Sequence, residues 1–465
     1  MAASNTPPSG GFLERTFEIT ARGSTVRTEI IAGVVTFATM AYILFVNPSI
    51  LGGITDSAGV TLNPAALLTV TALAAAIASI AMGVFGNVPF ALAAGLGLNA
   101  FVAFGLVATR GLTWPNAMGV IVVEGLLIAL LVIIGLRERI MLAFPDGLRR
   151  AIGAGIGAFI AIIGLVNAGL VLHPEDGGTI LAIAPDVVTW KLGIFFLGLI
   201  LGAMLLARRV RGALLISIVV STVAAIILNN AKNGEIWQFG VADIPSTWVA
   251  TPDFSLVGAV SFDFVGTLGA MTALAVVVAV MLSDFFDTIG TAVALGRKAK
   301  IVDEATGSIP RLRRILLIDG LAAALGGATS SSSNTTYIES ASGIEEGGRT
   351  GLTAITTGVL FAVAMLLAPI AGVIPAEATA PALVIVGALM LGQAAAIDWD
   401  DIGVSLPAVL TILGMPFTYS ITNGVGFGII AYVVIAVLRG QGRRVHPLLY
   451  GCAALFAWYF VYGTI

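Results

Sequence analysis

Apolar runs of about 20 residues recur along the whole 465-residue chain. A helix of that length crosses the ~30 Å hydrocarbon core of a bilayer. The runs are blocks of Gly, Ala, Leu, Ile and Val, without the apolar–polar alternation of a transmembrane barrel. The pattern predicts an all-α polytopic membrane protein of about fourteen segments: 28–51, 65–86, 89–107, 116–136, 148–171, 189–207, 212–229, 265–290, 313–327, 329–343, 350–372, 378–396, 402–418 and 421–438.

The basic residues are distributed unevenly between the two sides of this topology. With residues 1–27 in the cytoplasm, the cytoplasmic parts hold 20 of the 23 lysines and arginines, and Arg110, Lys191 and Lys232 fall outside. Because cytoplasmic connections are enriched in Lys and Arg, this favours a multi-pass protein of the cell (inner or plasma) membrane with a cytoplasmic N-terminus. The C-terminal segment 441–465 is predicted either to span the membrane once more or to lie at its interface.

Composition narrows the class of protein further. The chain is 58% hydrophobic and 11% charged, with a mean hydropathy of +1.03, whereas soluble domains carry about 25% charged residues. Cys452 is the only cysteine, and His173 and His446 are the only histidines. An intrachain disulfide is thereby excluded and a haem or zinc site is disfavoured. No lysine follows a glycine, so no Walker A motif is present. We expect no cofactor, no nucleic-acid partner and an ion gradient as the energy source.

The fourteen segments divide into seven plus seven around the long connection 230–264, which is predicted to be extracellular. An odd-numbered repeat inverts the second half, as in many secondary transporters. The third segment of each half is unusual: 89–105 contains interrupting glycines, and 330–343 is polar. Such short, partly extended segments at matching places predict a binding site near the middle of the membrane. Aligned by eye, "GLGLNAF" and "TTYIESA" place Asn99 opposite Glu339.

Ionisable side chains inside predicted spans are few. Each costs at least ~2.5–3.5 kcal/mol to insert at a helix centre and is therefore a functional candidate. No span contains a lysine or arginine near its middle, so none of these acids has an evident salt-bridge partner within its own helix. Acids without such partners suit groups that bind and release protons. Glu124 and Asp319 are interpreted as structural or orienting groups. The five acids are Glu124, Asp284, Asp287, Asp319 and Glu339.

Three of these acids and one amide have two interpretations each. Asp284 and Asp287 lie three residues apart on one helical face, and either face a cavity or meet water at a cytoplasmic helix end. Glu339, beside several hydroxyls, either binds a ligand or caps another helix. Asn99 either contacts a planar heterocycle or makes an interhelical hydrogen bond.

Several motifs occur together and in order: "GLGLNAF", "DFFDTIGT", "TTYIESASGIEEGGRTGLTA", "APALVIVGALM", "IDWDD" and "PAVLTILGMPFTYSITNGVGFGIIAYV". They resemble the nucleobase–cation symporter 2 family (nucleobase:ascorbate transporter superfamily), specifically its AzgA-like branch of hypoxanthine, adenine and guanine permeases. The resemblance covers about residues 28–440. It implies a proton symporter that imports purine nucleobases by an elevator mechanism, usually as a homodimer. A core domain (28–136 and 265–372) would move against a gate domain (137–229 and 373–440).

The same motifs imply roles for individual residues. The family usually has a glycine and mixed Thr/Ser at 329–334, where this chain has "TSSSSN". Phe101 and Tyr337 either stack on an aromatic ligand or pack in the core. The residues expected to bind substrate are Glu339, Asn99, Asp284, Ile338, Phe101 and Tyr337; those expected to couple protons are Asp284, Asp287 and Glu339; the supporting residues are Asp319, Thr336 and Glu124.

Other functions remain open from the sequence. A transporter of another nucleobase, xanthine or uracil, would share the motifs. An anion transporter of the same seven-plus-seven architecture would normally present a cation at the site, whereas the candidate residues here are acidic. A membrane-embedded aspartyl protease would also use two acids, but the chain lacks a GxGD motif. We expect a transporter and not an enzyme.

Overall fold

The computed structural model describes residues 11–136, 143–172, 181–238, 240–245, 247–301, 309 and 311–462. Residues 1–10 of the N-terminal tail, residues 137–142 at the start of the expected gate region, and His173 lie outside these ranges. The described chain is mostly helical, and ten of its helices are long and apolar enough to cross a membrane. The expectation of a polytopic helical membrane protein is confirmed, while the number of fourteen crossings stays a prediction.

Over its described residues, the first half contains nine helices and three short strands. The helix α4 (Pro64–Ala81) is continued by a π-helix, Met82–Gly86, and the helix α5 (Leu96–Ala100) by a second one, Phe101–Ala108. The elements are α1 (Phe12–Phe17), α2 (Val26–Met40), α3 (Ile43–Leu51), α4 (Pro64–Ala81), β1 (Leu92–Ala94), α5 (Leu96–Ala100), α6 (Trp114–Ile133), α7 (Asp146–Asn167), β2 (Val171–Leu172), β3 (Ala182–Ile183), α8 (Trp190–Ala207) and α9 (Ala213–Ala231).

The second half repeats this order after the short helix α10 in the connection between the halves. The 3₁₀ segments Met365–Gly372 and Gly392–Ala396 extend α14 and α15, and a third, Gly442–Arg444, precedes the last helix. The elements are α10 (Phe264–Leu268), α11 (Ala270–Lys298), α12 (Leu312–Ala328), β4 (Asn334–Thr336), α13 (Ser340–Glu345), α14 (Gly351–Ala364), α15 (Ala376–Leu391), α16 (Ile402–Phe417), α17 (Ile421–Leu438) and α18 (Pro447–Tyr462).

Local sequence sets several helix starts. Asn63 accepts hydrogen bonds from the Ala65 and Ala66 amides, and Pro64 occupies the first turn, where its missing N–H costs nothing. Thr25 and Ser420 cap α2 and α17 in the same way. These caps satisfy backbone donors that would otherwise be unpaired at a helix end.

The two halves meet in an antiparallel strand pair at the centre of the protein. Leu92 faces Thr336 and Ala94 faces Asn334, with Ala93 and Thr335 as the middle pair. The third segment of each half is therefore a short strand followed by a helix, which confirms the expected broken, partly extended segments. Antiparallel pairing of equivalent strands is the arrangement that an inverted repeat produces.

Helix packing follows the same two-fold pattern. The second unit of one half packs on the fourth unit of the other, α4 on α14 and α12 on α6. The fifth units, α7 and α15, pack on each other, α8 packs on α15, and α16 packs on α7. Units one to four of both halves thus form one group of packed helices, and units five to seven form another. The expected seven-plus-seven inverted repeat is confirmed in this arrangement.

The last helix, α18, lies along α17. Near its start, the Tyr450 hydroxyl donates to the Gly442 carbonyl oxygen (3.0 Å), just beyond the end of α17. Near its end, the Tyr459 hydroxyl donates to Asn423 Oδ1 (3.0 Å), in the first turn of α17. The helix also packs on α11. It therefore runs antiparallel to α17 over nearly the full length of that helix.

Candidate functional site

A cavity of about 110 Å³ lies where β1 and β4 end against α11. Three carboxylic acids line it, whereas its described lining contains no lysine, arginine or histidine. The cavity therefore offers hydrogen-bond acceptors and no cation. The lining residues are Tyr42, Gly95, Leu96, Gly97, Leu98, Ile156, Ser283, Asp284, Asp287, Thr291, Thr335, Thr336, Tyr337, Ile338, Glu339, Val386 and Met390.

Glu339 stands at the N-cap position of α13. Its Oε1 accepts a hydrogen bond from the Tyr42 hydroxyl (2.7 Å). Tyr42, 1% exposed, lines the cavity from the first segment. Sequence reasoning missed Tyr42, because a tyrosine within an apolar span has no spacing that relates it to a glutamate 297 residues away.

Asp284 and Asp287 both line the cavity from α11. Asp284 is fully buried and Asp287 is half-buried. Ser283 and Thr291 of the same helix also contribute to the lining. The three-residue spacing thus brings both acids to one cavity, together with Glu339 from the opposite strand–helix segment.

Asp319 on α12 lies behind the cavity and is fully buried. Its Oδ1 accepts from the Thr336 amide (3.1 Å) and hydroxyl (2.9 Å), and its Oδ2 accepts from the Thr288 hydroxyl (2.7 Å). Thr288 is also hydrogen-bonded to Thr335 (2.9 Å). Asp319 therefore fixes β4 to α11. Glu339 follows Thr336 by three residues, so this link also helps to position Glu339.

Asn99, Phe101 and Glu124 are fully buried and are not among the residues that line the cavity. Neither side-chain polar atom of Asn99 has a hydrogen-bond partner in the described part of the chain. The structure thus places these three expected site residues outside the lining of the cavity.

The strand register places Gly97 and Glu339 at matching distances from the centre of the strand pair. Counted from the middle pair, Ala93 and Thr335, Gly97 and Glu339 each lie four residues further along. An antiparallel register is compatible with more than one alignment of the two repeats, so the correspondence of Asn99 with Glu339 stays a prediction. A side chain at Gly97 would collide with Ile156 of α7, so glycine allows α5 to approach the other group of helices.

Tyr337 and Ile338 occupy different environments. The Tyr337 amide donates to the Ala91 carbonyl (3.0 Å) and its hydroxyl donates to the Ala94 carbonyl (2.5 Å), so its ring is fixed against β1 while lining the cavity. Ile338 is 51% exposed and faces open space.

The serine run before β4 adopts an unusual backbone. Ser330 and Ser332 have φ of 61° and 74°, in the left-handed region that costs about 1–2 kcal/mol for a residue with a side chain. A glycine, which the motif resemblance leads us to expect near this position, would adopt such a backbone without that cost. Ser330 is held by a hydrogen bond from its hydroxyl to the Leu256 carbonyl (2.9 Å). The Ser333 carbonyl accepts from the Gly95 amide (2.8 Å), which extends the strand pair.

A larger space of about 1230 Å³ adjoins the cavity and shares Asp287, Ile338 and Glu339 with it. Its far walls carry Arg149 and Arg209, and also Arg211, which pairs with Glu346 of the other helix group. The cavity therefore communicates with the side that carries these arginines. We call this space the vestibule.

No group of three or more His, Cys, Asp or Glu side chains in the described part of the chain could hold a metal ion.

Solved membrane proteins share this architecture. The transmembrane domain of the cyanobacterial bicarbonate transporter BicA superposes with a TM-score of 0.60 at 15% identity, covering 88% of this chain and 97% of that one. The murine anion transporter Slc26a9, in its inward-facing state, gives a TM-score of 0.64 at 10% identity, covering 94% and 74%. At such low identity the likeness concerns the fold alone. The fold and its long apolar helices together define a multi-pass membrane protein with a buried cavity.

Sequence comparison identifies the family. Residues 27–427 match the model Xan_ur_permease, described as "Permease family". The adenine permease AdeQ of Escherichia coli is 38% identical over 448 residues, 96% of each chain. The guanine/hypoxanthine permease PbuG of Bacillus subtilis is 36% identical over 450 residues, 96% of this chain and 99% of that one. The chain belongs to this permease family, the nucleobase:ascorbate transporters. The resemblance drawn from the motifs is confirmed, as is the expectation of a transporter and not an enzyme.

Proposed function

We propose that this protein imports purine nucleobases, namely adenine, hypoxanthine and guanine, by proton symport across the cell membrane. The observation that carries the proposal is the buried cavity with three carboxylic acids and no cation in its described lining. Relatives that are named adenine and guanine/hypoxanthine permeases support the choice of substrate.

The recognition chemistry follows from the shape and polarity of a purine, which is flat and carries N–H donors at its edge. Glu339 Oε1 is occupied by Tyr42, so Oε2 accepts from ring or exocyclic N–H groups of the base. Hydrogen bonds to a carboxylate are about twice as strong as those between neutral groups. The ring of Tyr337 covers one face of the base, and the backbone of the Gly95–Leu98 segment contacts its acceptor edge.

Proton coupling is assigned to the acids that share the cavity with Glu339. Asp284 is the first candidate for the coupling proton, and Asp287 is the second. Protonation removes a negative charge from a buried group, which lowers the cost of moving the loaded site past apolar surroundings. Asn99 acts from behind the cavity wall, and Asp319, Thr336 and Glu124 support the site.

The transport movement is proposed to be of the elevator type. The group of packed helices that contains units one to four of both halves is the core domain, 28–136 and 265–372. The other group is the gate domain, 137–229 and 373–440. The vestibule opens beside Arg149 and Arg209, which the charge distribution assigns to the cytoplasm, so the conformation is inward-open with a cytoplasmic N-terminus. We further propose that two copies associate as a homodimer.

Two alternatives use the same fold. A transporter of xanthine or uracil would need only a different arrangement of donors in the cavity. An anion transporter is suggested by the fold of the bicarbonate transporter. The acidic lining argues against an anion, because a carboxylate repels a negative charge within a few ångströms.

The test is uptake by the reconstituted full-length protein in proteoliposomes. Glu339→Gln keeps the shape and removes the charge, so we expect the Kd for adenine and hypoxanthine to rise about ten- to a hundredfold. Asp284→Asn is expected to bind the base but to lose accumulation driven by a pH gradient. Uptake of [³H]hypoxanthine with and without the gradient, and competition by guanine, xanthine and uracil, measure both effects.

Glu345→Gln is the matched control, because Glu345 lies on the vestibule wall and pairs with Lys298 (2.5 Å) outside the cavity. It should retain wild-type affinity and coupling. Wild-type affinity in Glu339→Gln together with gradient-driven uptake in Asp284→Asn would refute the assignment. Saturable bicarbonate uptake without base uptake would favour the anion transporter.

A further inference from the structure

A second cavity, of about 580 Å³, lies at the end of α4 that carries the predicted cytoplasmic turn. Among the described residues, four cations and one acid, Glu18, line it. The lining residues are Glu18, Ala21, Arg22, Gly23, Gly86, Asn87, Val88, Ala299, Lys300, Ile301, Arg311 and Arg349. We call this space the basic cavity. It shares no lining residue with the substrate cavity.

The four cations come from separate parts of the chain. Arg22 precedes α2, Lys300 follows α11, Arg311 precedes α12, and Arg349 precedes α14. Four connections that are distant in sequence thus converge on one concave surface. A positive-inside bias alone explains basic connections, but it does not explain their convergence on a cavity.

Two of the guanidinium groups are built into the walls. Arg22 Nη1 donates to the Asn87 carbonyl (2.7 Å). Arg349 Nη1 donates to the carbonyls of Ile344 (2.6 Å) and Gly348 (2.7 Å). Lys300 and Arg311 are exposed at the cavity. Hydrogen-bonded cations in the walls and exposed ones at the rim suit an anion that enters from solvent or from the membrane surface.

The charges in the basic cavity are not balanced by the acid that lines it. Burial lowers the pKa of the Arg22 guanidinium, and the Arg311 charge lowers it further. The Glu18 carboxylate 3.6 Å away and, more weakly, the Glu29 carboxylate outside the lining oppose that shift. Arg22 and Arg311 are therefore close enough to repel each other. A bound anion would relieve this repulsion, because opposite charges a few ångströms apart attract strongly where water is partly excluded.

The basic cavity also borders on lipid. Gly86, which lines it, is the last residue of the apolar span Pro64–Gly86. The two residues before it, Val84 and Phe85, are exposed, Phe85 by 65%. Exposed apolar side chains next to a cluster of cations at the end of a span match an amphiphile with an acidic head. Basic pockets between helices on the cytoplasmic side are known to suit phosphate-containing lipid headgroups.

We propose that the basic cavity binds a phosphate group, and that the source of this group is the headgroup of an acidic phospholipid in the cytoplasmic leaflet. Arg22 and Arg349 form the fixed floor of the site. Lys300 and Arg311 close on the phosphate from the rim, and the acyl chains lie along Val84 and Phe85.

The test uses the purified full-length protein in a non-ionic detergent, with thermal unfolding as the readout. Short-chain phosphatidylglycerol is titrated against wild type and the variants Lys300→Gln and Arg311→Gln, singly and together. Each cation near an acidic lipid is worth about fivefold in affinity. The half-saturating concentration should therefore rise about fivefold for each single variant and about 25-fold for the double variant. Arg314→Gln removes a charge in the first turn of α12, three residues after Arg311 and outside the cavity lining, and should stay near wild type.

Three further outcomes decide the proposal. Equal stabilisation of wild type by short-chain phosphatidylcholine would overturn it, since that lipid carries no net charge. An unchanged half-saturating concentration in the double variant would overturn it as well. Inorganic pyrophosphate, titrated without lipid, tests the soluble source. Stronger stabilisation by pyrophosphate than by phosphatidylglycerol, lost in the double variant, would support the phosphate site and overturn the assignment to lipid.

Discussion

Glu339 accepts hydrogen bonds through both its carboxylate and its backbone carbonyl. Oε1 accepts from Tyr42, and the Glu339 backbone carbonyl accepts from Thr39 (3.4 Å). Both partners belong to the first segment of the chain. The orientation of the carboxylate therefore depends on a residue with no motif of its own, and Tyr42 is a positioning residue for the proposed base-binding group.

Replacing Tyr42 by Phe removes only this hydroxyl. A hydrogen bond to a charged group contributes about 1.5–3 kcal/mol, and a substrate regains part of the loss through the freed oxygen. We expect the KM for adenine and hypoxanthine to rise about tenfold, while the maximal rate changes less than about twofold. Initial uptake rates in proteoliposomes give both constants. Tyr432→Phe, on α17 and outside the cavity lining, is the control. An equal rise in KM for both variants would contradict a positioning role.

The sequence predicted which acidic residues line the cavity, but it did not predict which buried residues lie behind the cavity wall. Asp284, Asp287 and Glu339 were singled out because acids in spans are costly, and all three line the cavity. Whether a buried residue lines a cavity or lies behind its wall depends on packing. The sequence pattern does not encode that distinction for Asn99 and Phe101.

At the scale of elements, the central strand pair shows what the sequence could predict of the fold and what it could not. The broken third segments could be predicted from glycines in one half and hydroxyls in the other. Their register could not, because it is set by hydrogen bonds between segments about 240 residues apart. The small strands β2 and β3 were not anticipated, since a two-residue pairing leaves no periodic signal.

The course of α18 along α17 predicts a further crossing of the membrane. Because α17 ends in the cytoplasm in the proposed topology, the C-terminus should lie outside. Alkaline phosphatase is active only on the outer side, so a fusion after Ile465 is expected to be active and one after Gly440 inactive. Enzyme activity in intact cells, normalised to expression, measures this. Inactivity of both fusions would place α18 at the cytoplasmic interface.

At the scale of the whole molecule, one polar cluster joins the two groups of helices on the side away from the vestibule. Arg110, at the end of the third segment, donates to the Tyr459 hydroxyl and lies 5.6 Å from the centroid of that ring. Tyr459 in turn donates to Asn423 of α17 (3.0 Å). This cluster holds the ends of the two groups together on that side, while the vestibule side is open.

In the proposed alternating-access cycle this cluster must break. Tyr459→Phe removes two hydrogen bonds, each worth about 0.5–1.5 kcal/mol, so the equilibrium should shift about five- to 150-fold towards the outward-open form. A cysteine at Leu389, on the vestibule wall, introduced in a Cys452→Ser background, should then react more slowly with maleimide in inside-out vesicles. Tyr462→Phe, on the same helix, should leave the labelling rate unchanged. An unchanged rate in Tyr459→Phe would show that the cluster does not restrain the movement.

The central strand pair also has a consequence for biosynthesis. β1 emerges from the ribosome about 240 residues before its partner β4. At a synthesis rate of about 5–20 residues per second, the interval is about 12–50 s. During that time the backbone groups of β1 lie at membrane depth without their final partners, where each unsatisfied group costs several kcal/mol.

Ser79, which also belongs to the first half, provides hydrogen bonds to the backbone of β1. Its hydroxyl donates to the Leu92 carbonyl (3.1 Å) and accepts from the Leu92 amide (2.9 Å), so one residue of β1 is satisfied before the second half exists. The Ala91 amide, by contrast, donates to the Ser340 hydroxyl (3.0 Å), which is synthesised only with the second half. The nascent first half therefore has a specific need for shielding by the insertion machinery until translation reaches the serine run.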